Sequence, residues 1–144
     1  MEREEIKKKA FNYFQSGFNC AEAVSKTITE FFSKEPPLDI PKVATGFGGA
    51  IGGTKCEATC GAVSGGVIAL GWLFGRIEPS DDKQKIYDLA SEFRSQFIDK
   101  FGATNCQTIL NSFGVQENMF KCKKLTAETV GMLYDILLVE IEIK

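Results

Sequence analysis

At 144 residues, with 44% hydrophobic and 25% charged residues, the chain has the size and composition of one ordinary globular domain. Seventeen Lys and Arg residues against nineteen Asp and Glu residues leave a net charge of -2, so no excess positive charge favours binding to nucleic acid. The sequence contains no histidine, which excludes Ser-His and Cys-His catalytic triads and a C-x-x-C-H haem attachment.

Helical periodicity begins near the amino terminus. We expect a first helix from about Glu4 to Gln15, stopped by Gly17, and a second from Cys20 to Phe32. The residues expected to face inward are Ile6, Ala10, Tyr13 and Phe14 in the first helix and Ala21, Val24, Ile28, Phe31 and Phe32 in the second. The second helix should end before a rigid connection that contains Pro36, Pro37 and Pro41, because proline cannot donate to the helical ladder.

A glycine-rich run extends from Thr45 to Lys55. Gly48 and Gly53 have the separation of a phosphate loop, but Thr54-Lys55 follows where Lys and then Ser or Thr are needed. A dinucleotide-binding fingerprint fails as well, so we do not expect nucleotide binding. We expect a flexible loop that lets the backbone pass close to the following helix or that exposes N–H groups to a small anion.

The next helix is predicted to begin at Cys60 and to bury Val63, Val67, Leu70 and Phe74. Gly61 and Gly65 lie four residues apart, so they share a face where another helix or a ligand can approach the backbone closely. Two more helices are predicted, from Asp81 to Phe101 with Gly102 as a left-handed cap, and from Thr126 as N-cap to about Glu142.

These elements predict an all-α fold: residues 1–144 form a single compact bundle of five or six helices, with a Gly-rich loop before the Cys60 helix. The amino terminus is charged where a signal peptide needs an apolar segment. The longest apolar stretch, Ala62 to Phe74, is too short to span a bilayer. We therefore expect a cytoplasmic protein without membrane insertion, whose thiols are free.

The five cysteines carry the candidate chemistry. Asn19-Cys20, Thr59-Cys60 and Asn105-Cys106 each place a helix-capping residue before a thiol, which would then lie in a first helical turn. The positive end of a helix dipole contributes about 0.3 to 1 kcal/mol to an anion there and so lowers a thiol pKa. Cys122 is flanked by lysines at positions 121, 123 and 124, which also favour the thiolate.

Less reactive interpretations remain open for the same residues. A single intracellular cysteine is usually a small buried hydrophobic side chain, and the lysines around Cys122 also suit a solvated turn. The sequence contains no C-x-x-C motif. Cys56 and Cys60 are its closest pair, and they would lie one turn apart only if the helix extended back to Cys56.

The segments SGFNCAEAV (residues 16–24), GFGG (46–49) and CGAVSGG (60–66), followed by Cys106 and Cys122, resemble the C_GCAxxG_C_C family of redox-active proteins. The resemblance extends over most of the chain, and Cys56 lies outside its pattern. It implies a redox role for four thiols, which are Cys20, Cys60, Cys106 and Cys122. It also implies that Gly61, Ala62 and Gly65 complete the family's CGAxxG motif.

The leading prediction is reversible thiol-disulfide chemistry, as in a thiol-disulfide oxidoreductase, with an unknown protein or small molecule as redox partner. Cys60 is the expected attacking thiolate, and Cys106 and Cys122 are candidates for the resolving role. The alternative is that Cys20, Cys60, Cys106 and Cys122 bind zinc or an iron-sulfur cluster. A third interpretation is a helical interaction module that forms homo-oligomers through phenylalanine-rich surfaces, with buried and unreactive cysteines.

Overall fold

The structure, a computed structural model, describes residues 2–53 and 55–143. Within these residues there are seven α-helices: α1 (Glu2–Gln15), α2 (Cys20–Phe32), α3 (Ile40–Ala44), α4 (Gly61–Phe74), α5 (Gln84–Phe101), α6 (Cys106–Phe113) and α7 (Phe120–Ile143). A 3-10 turn, Thr45–Phe47, follows α3, and the described residues form no strand. The prediction of an all-α fold is therefore confirmed for this part of the chain.

Helix α4 packs against α2, α5 and α7, and it is almost entirely apolar. Its glycines permit the close approach of neighbouring helices. A Cβ added at Gly65 would lie 2.4 Å from the Ala21 carbonyl oxygen of α2, and one added at Gly66 would lie 2.4 Å from the Phe93 ring of α5. The prediction that Gly61 and Gly65 form a surface for close approach is confirmed.

The hydrophobic core lies between α2, α4, α5 and α7. Its largest fully buried side chains include Ile28, Leu70, Phe93, Phe97, Leu133 and Leu137. Helix α1 packs along α7, where its apolar residues Ile6 and Ala10 are buried. None of the helices in the described ranges combines the length and apolar character that a membrane span requires.

Two predicted N-caps are confirmed, and they fix where two cysteines lie. The Asn19 side chain accepts a hydrogen bond from the Glu22 N–H (2.9 Å), and the Glu22 carboxylate accepts one from the Asn19 N–H (2.9 Å). The Asn105 side chain accepts from the Thr108 N–H (3.0 Å). Cys20 and Cys106 are therefore the first residues of α2 and α6.

There are more helices than predicted, because residues Ile40–Ala44, expected to lie in a rigid connection, form α3. Pro41 lies in the first turn of α3, where its missing N–H costs nothing, so it does not prevent this helix. The 3-10 turn at Thr45–Phe47 likewise shortens the irregular part of the Gly-rich loop.

Three predicted helix starts are wrong. Helix α4 begins at Gly61, and Cys60 is its N-cap residue rather than part of its first turn. Helix α5 begins at Gln84 rather than Asp81, because the Asp81 side chain accepts backbone hydrogen bonds in the preceding turn. Helix α7 begins at Phe120, and Thr126 is buried inside it, where its hydroxyl donates to the Cys122 carbonyl oxygen (2.9 Å).

Two side chains predicted to face inward are exposed. Phe31 is 42% exposed and packs against the rings of Phe32 and Tyr134 near the surface. Val67 is 40% exposed. Because α4 is apolar around its circumference, the periodicity of its sequence does not identify the side that faces solvent.

Candidate functional site

All five cysteines line one small pocket. Cys20 and Cys106 begin α2 and α6, Cys60 precedes α4, Cys122 lies in the first turn of α7, and Cys56 lies in the loop before α4. None forms a disulfide, and Cys60 is the one that is buried, whereas the other four are partly exposed. The pocket has a volume of about 60 Å³. The chain thus brings together sulfur atoms from four helix starts and one loop.

The remaining wall of the pocket is apolar. Its lining side chains are Phe14, Ala50, Ile109, Leu110, Phe113, Met119 and Leu125. Such surroundings hold little water and disfavour charged groups, so a thiolate forms here only where hydrogen-bond donors are aimed at the sulfur.

Backbone hydrogen bonds hold the loop before α4 against the start of α6. The Cys106 N–H donates to the Ala58 carbonyl oxygen (2.9 Å), and the Gln107 N–H donates to the Cys56 carbonyl oxygen (2.9 Å). The Asn105 side chain also donates to the Glu57 carbonyl oxygen (3.1 Å). These bonds bring Cys56 to Cys106. Helix α4 begins at Gly61 and does not extend back to Cys56, so the condition under which Cys56 and Cys60 would lie one turn apart is not met.

Close contact between α2 and α4 brings Cys20 to Cys60. A Cβ added at Gly61 would lie only 2.4 Å from the Cys20 sulfur. The absent side chain at residue 61 therefore leaves the space that the sulfur occupies. This gives the Cys-Gly pair of the CGAxxG motif a steric explanation.

Cys20 is the thiol that this arrangement makes more acidic. Its pKa is lowered, first by a hydrogen bond from the Cys60 thiol and then by the backbone N–H groups of Ala21, Cys20 itself and Gly49, which together outweigh burial. The first-turn effect predicted from the sequence thus has the right direction here, although the neighbouring thiol contributes more than the helix.

The other three family cysteines have raised pKa values, so the prediction of acidic thiols is wrong for them. The pKa of Cys60 lies well above its ordinary range because its thiol donates to Cys20 and is buried. Burial, followed by the contact with Cys56, raises the pKa of Cys106 to about 12. The first N–H groups of α6 donate to loop carbonyls, which leaves them unavailable to stabilise a thiolate.

Cys122 is held by a residue that the sequence analysis did not identify. The Gln116 amide nitrogen donates to the Cys122 sulfur (3.2 Å), and its oxygen accepts from the Cys122 N–H (3.1 Å). Burial raises the pKa of Cys122 despite the Gln116 donor. Gln116 thus takes a capping role near the start of α7, six residues before the cysteine that it holds, which no standard capping pattern would indicate.

An open groove of about 610 Å³ adjoins the pocket, and Cys20 and Cys56 line both cavities. Cys60, Cys106 and Cys122 line the inner pocket but not this groove. The groove also includes Phe14, Phe18, Asn19, Asn118, Met119 and Lys123. A molecule in the groove therefore meets Cys20 and Cys56 before it reaches the other thiols.

The Gly-rich loop shapes the boundary between groove and pocket. Gly49 has a left-handed φ of 60°, and a Cβ there would lie 2.3 Å from the Gly53 backbone, so only glycine fits. This conformation directs the Gly49 N–H to the Cys20 sulfur. The expectation that the loop backbone passes close to the following helix is confirmed, since a Cβ on Gly61 would lie 2.9 Å from the Phe47 carbonyl oxygen. Binding of a small anion by this loop stays a prediction.

The metal-binding alternative concerns the same four family cysteines. In the portion of the chain that the structure describes, no group of three or more Cys, Asp or Glu residues is arranged to hold a metal ion. Zinc or iron-sulfur ligation by Cys20, Cys60, Cys106 and Cys122 remains a prediction that metal analysis decides.

Comparison with known proteins agrees with the cysteine pattern. The sequence profile of the family described as "Putative redox-active protein (C_GCAxxG_C_C)" matches residues 18–136. No curated protein and no solved structure matches the chain. The matched range includes all five thiols of the pocket.

Proposed function

The chain belongs to the C_GCAxxG_C_C redox-active protein family, and we propose that its activity is reversible thiol-disulfide exchange with a small disulfide bound in the groove. The observation that carries this proposal is the position of Cys20, which lies beside Cys60 and also lines the groove. A reactive sulfur needs both a stabilised thiolate and access to its substrate.

Cys20 takes the attacking role that the sequence analysis gave to Cys60. Its pKa is lowered by donors that surround the sulfur, whereas the pKa of Cys60 is raised and that thiol is only 7% exposed. The thiolate is the nucleophile in exchange, so the more acidic and more accessible sulfur attacks first. Cys60 is the adjacent sulfur and acts as the resolving thiol.

The exchange balances in two steps. The Cys20 thiolate attacks one sulfur of the substrate disulfide, forms a mixed disulfide and releases the other substrate sulfur, which takes up a proton. Cys60 then loses its proton and attacks the Cys20 sulfur. This step forms the Cys20–Cys60 disulfide and releases the second substrate thiol, so two electrons and two protons pass to the substrate.

The hydrogen bond between the two thiols favours the first step, and its loss favours the second. Before the attack, the Cys60 S–H stabilises the Cys20 thiolate. Once Cys20 is in a mixed disulfide, that charge is gone, and the repulsion that raises the pKa of Cys60 is removed. Cys60 therefore becomes a better nucleophile only after substrate has reacted.

Trapping the mixed disulfide tests this assignment. The reduced protein and its Cys60→Ser and Cys20→Ser variants are mixed with 2-hydroxyethyl disulfide, and intact mass and peptide mapping locate the adducts. With excess reagent we expect a Cys20–Cys60 disulfide in the native sequence, a mercaptoethanol adduct that forms first on Cys20 in Cys60→Ser, and no comparably fast adduct on Cys60 in Cys20→Ser.

Other results would overturn the proposal. A chain whose thiols all remain free, with slow labelling when folded and fast labelling when unfolded, would instead support buried, unreactive cysteines in an interaction module. Stoichiometric zinc or iron in protein purified without oxygen would favour the metal-binding alternative.

A further inference from the structure

Cys56 lies outside the family's four-cysteine pattern, yet it occupies the boundary between the groove and the inner pocket. Its backbone has a left-handed φ of 53°. Two backbone hydrogen bonds hold this conformation, from the Cys56 N–H to the Gly49 carbonyl oxygen (3.1 Å) and from the Gln107 N–H to the Cys56 carbonyl oxygen (2.9 Å). A non-glycine residue in this region is strained, so the surrounding structure determines where its sulfur lies.

The neighbour of Cys56 in the pocket is Cys106. Both side chains line the inner pocket, the Cys56 thiol is one cause of the raised pKa of Cys106, and the backbone bonds between the loop and α6 hold their main chains beside each other. Cys106 faces the inner pocket, and Cys56 faces both cavities. This placement repeats that of the first pair, in which Cys20 borders the groove and Cys60 does not.

We propose that Cys56 and Cys106 form a second redox-active dithiol, which reduces the Cys20–Cys60 disulfide after one substrate turnover. This inference rests on the proposed function of the first pair. A fully reduced chain then holds four electrons and reduces two small disulfides before it needs an external reductant.

The transfer between the pairs balances without any further reactant. Cys56 loses its proton and attacks the Cys20 sulfur of the Cys20–Cys60 disulfide, and Cys60 leaves as a thiolate that takes up a proton. Cys106 then loses its proton and attacks the Cys56 sulfur, which releases Cys20. The Cys56–Cys106 disulfide is formed, and the first pair is reduced.

Cys122 is the competing partner for Cys106, since both line the inner pocket and lie near each other in sequence. The Cys122 sulfur, however, accepts a hydrogen bond from Gln116 (3.2 Å), and Cys122 is not among the residues that line the groove. The start of α6 is instead bound to the loop that carries Cys56, through the Cys106 N–H to the Ala58 carbonyl oxygen and the Gln107 N–H to the Cys56 carbonyl oxygen. The geometry therefore assigns Cys122 as the thiol that stays free.

Counting disulfides after complete reaction tests this assignment. Reduced protein is treated anaerobically with excess 2-hydroxyethyl disulfide, the remaining thiols are blocked with N-ethylmaleimide, and adducts are counted by intact mass. We expect two intramolecular disulfides and one blocked thiol in the native sequence, with peptide mapping that identifies Cys20–Cys60, Cys56–Cys106 and free Cys122.

The variants Cys56→Ser and Cys122→Ser separate the two possible pairings. Cys56→Ser should retain only the Cys20–Cys60 disulfide and show two blocked thiols, whereas Cys122→Ser should retain both disulfides and show none. A disulfide between Cys106 and Cys122 that survives in Cys56→Ser would overturn this inference and leave the proposed function intact. Loss of the Cys20–Cys60 disulfide in the native sequence would instead overturn the proposed function.

Discussion

The Cys20 sulfur occupies the space in which residue 61 would carry a side chain, because a Cβ on Gly61 would lie 2.4 Å from it. We expect Gly61→Ala to displace this sulfur from Cys60 and to remove the main cause of its lowered pKa. Cys20 should then be alkylated at higher pH than in the native sequence. The added methyl group should also cost about 1–3 kcal/mol of stability through overpacking, measured by urea unfolding.

Gly71→Ala is the matched control, since it lies in the same helix and a Cβ there would meet nothing within 4 Å. Alanine is a better helix former than glycine by about 1 kcal/mol, so this variant should be as stable as the native sequence or more so. Its Cys20 alkylation curve should not move. If both variants moved the curve equally, the close contact at residue 61 would not be its cause.

The order in which the thiols react with iodoacetamide reports their acidity. The pKa of Cys20 is lowered, that of Cys106 is raised to about 12, and those of Cys60 and Cys122 are also raised. At pH 8 we therefore expect Cys20 to react faster than these three thiols, and at least about tenfold faster than Cys106, since one pKa unit changes the thiolate fraction tenfold. Peptide mass spectrometry at successive times measures this order.

Substitution of Cys60 tests why Cys20 is acidic. Cys60→Ala removes the thiol that donates to Cys20, so the pKa of Cys20 should rise and its alkylation curve should move to higher pH. Cys60→Ser keeps an O–H donor in nearly the same place and should move the curve less. Equal curves for the two variants would show that the donor from residue 60 does not control Cys20.

Much of the fold follows from local sequence signals. Several helices are marked by signals that act within a few residues: the apolar stripe of α1, the capping residues Asn19 and Asn105, and the left-handed Gly102. These helices can therefore be predicted without knowledge of the residues that pack against them. The same signals place Cys20 and Cys106 at helix starts, but they do not bring the thiols together, because that depends on how the helices pack.

The acidity of the thiols could not be predicted in this way. Burial and sulfur-sulfur contacts decide the pKa values of Cys60 and Cys106, and both depend on how α2, α4 and α6 pack. The role of Cys56 has a similar origin, since hydrogen bonds to Gly49 and Gln107 place it beside Cys106. No spacing within residues 56–60 indicates those bonds.

Gln116 tests whether a side chain that precedes α7 holds Cys122 in place. Its side chain makes two hydrogen bonds to Cys122, at 3.2 Å to the sulfur and 3.1 Å from the N–H. Gln116→Ala should destabilise the protein by about 1 kcal/mol and raise the pKa of Cys122 further, because the donor to the sulfur is lost. Urea unfolding and the pH dependence of Cys122 alkylation measure the two effects.

Gln107→Ala serves as the control for this glutamine. The Gln107 side chain is exposed and donates to the Asn111 side chain one turn later (2.9 Å), and its N–H bond to Cys56 is made by the backbone. Its removal should change stability by less than about 0.5 kcal/mol and leave Cys122 unaffected. A Gln116→Ala variant that behaved identically would indicate that the two bonds to Cys122 do not hold it.

The raised pKa of Cys106 predicts how stability changes in alkaline solution. Its pKa is 9.0 in ordinary surroundings and about 12 in the folded chain. Above pH 9 the unfolded chain releases this proton while the folded chain retains it, so the free energy of unfolding decreases as pH rises toward 12. Below pH 9 both states keep the proton, and this contribution is constant.

Cys106→Ser removes the titrating group, so its urea midpoint, measured under reducing conditions between pH 8 and 11, should fall less steeply than that of the native sequence. The other ionisable groups are common to both proteins, which makes the difference in slope specific to residue 106. Parallel curves would contradict the stated environment of Cys106, and with it the proximity of Cys56 from which the second dithiol is inferred.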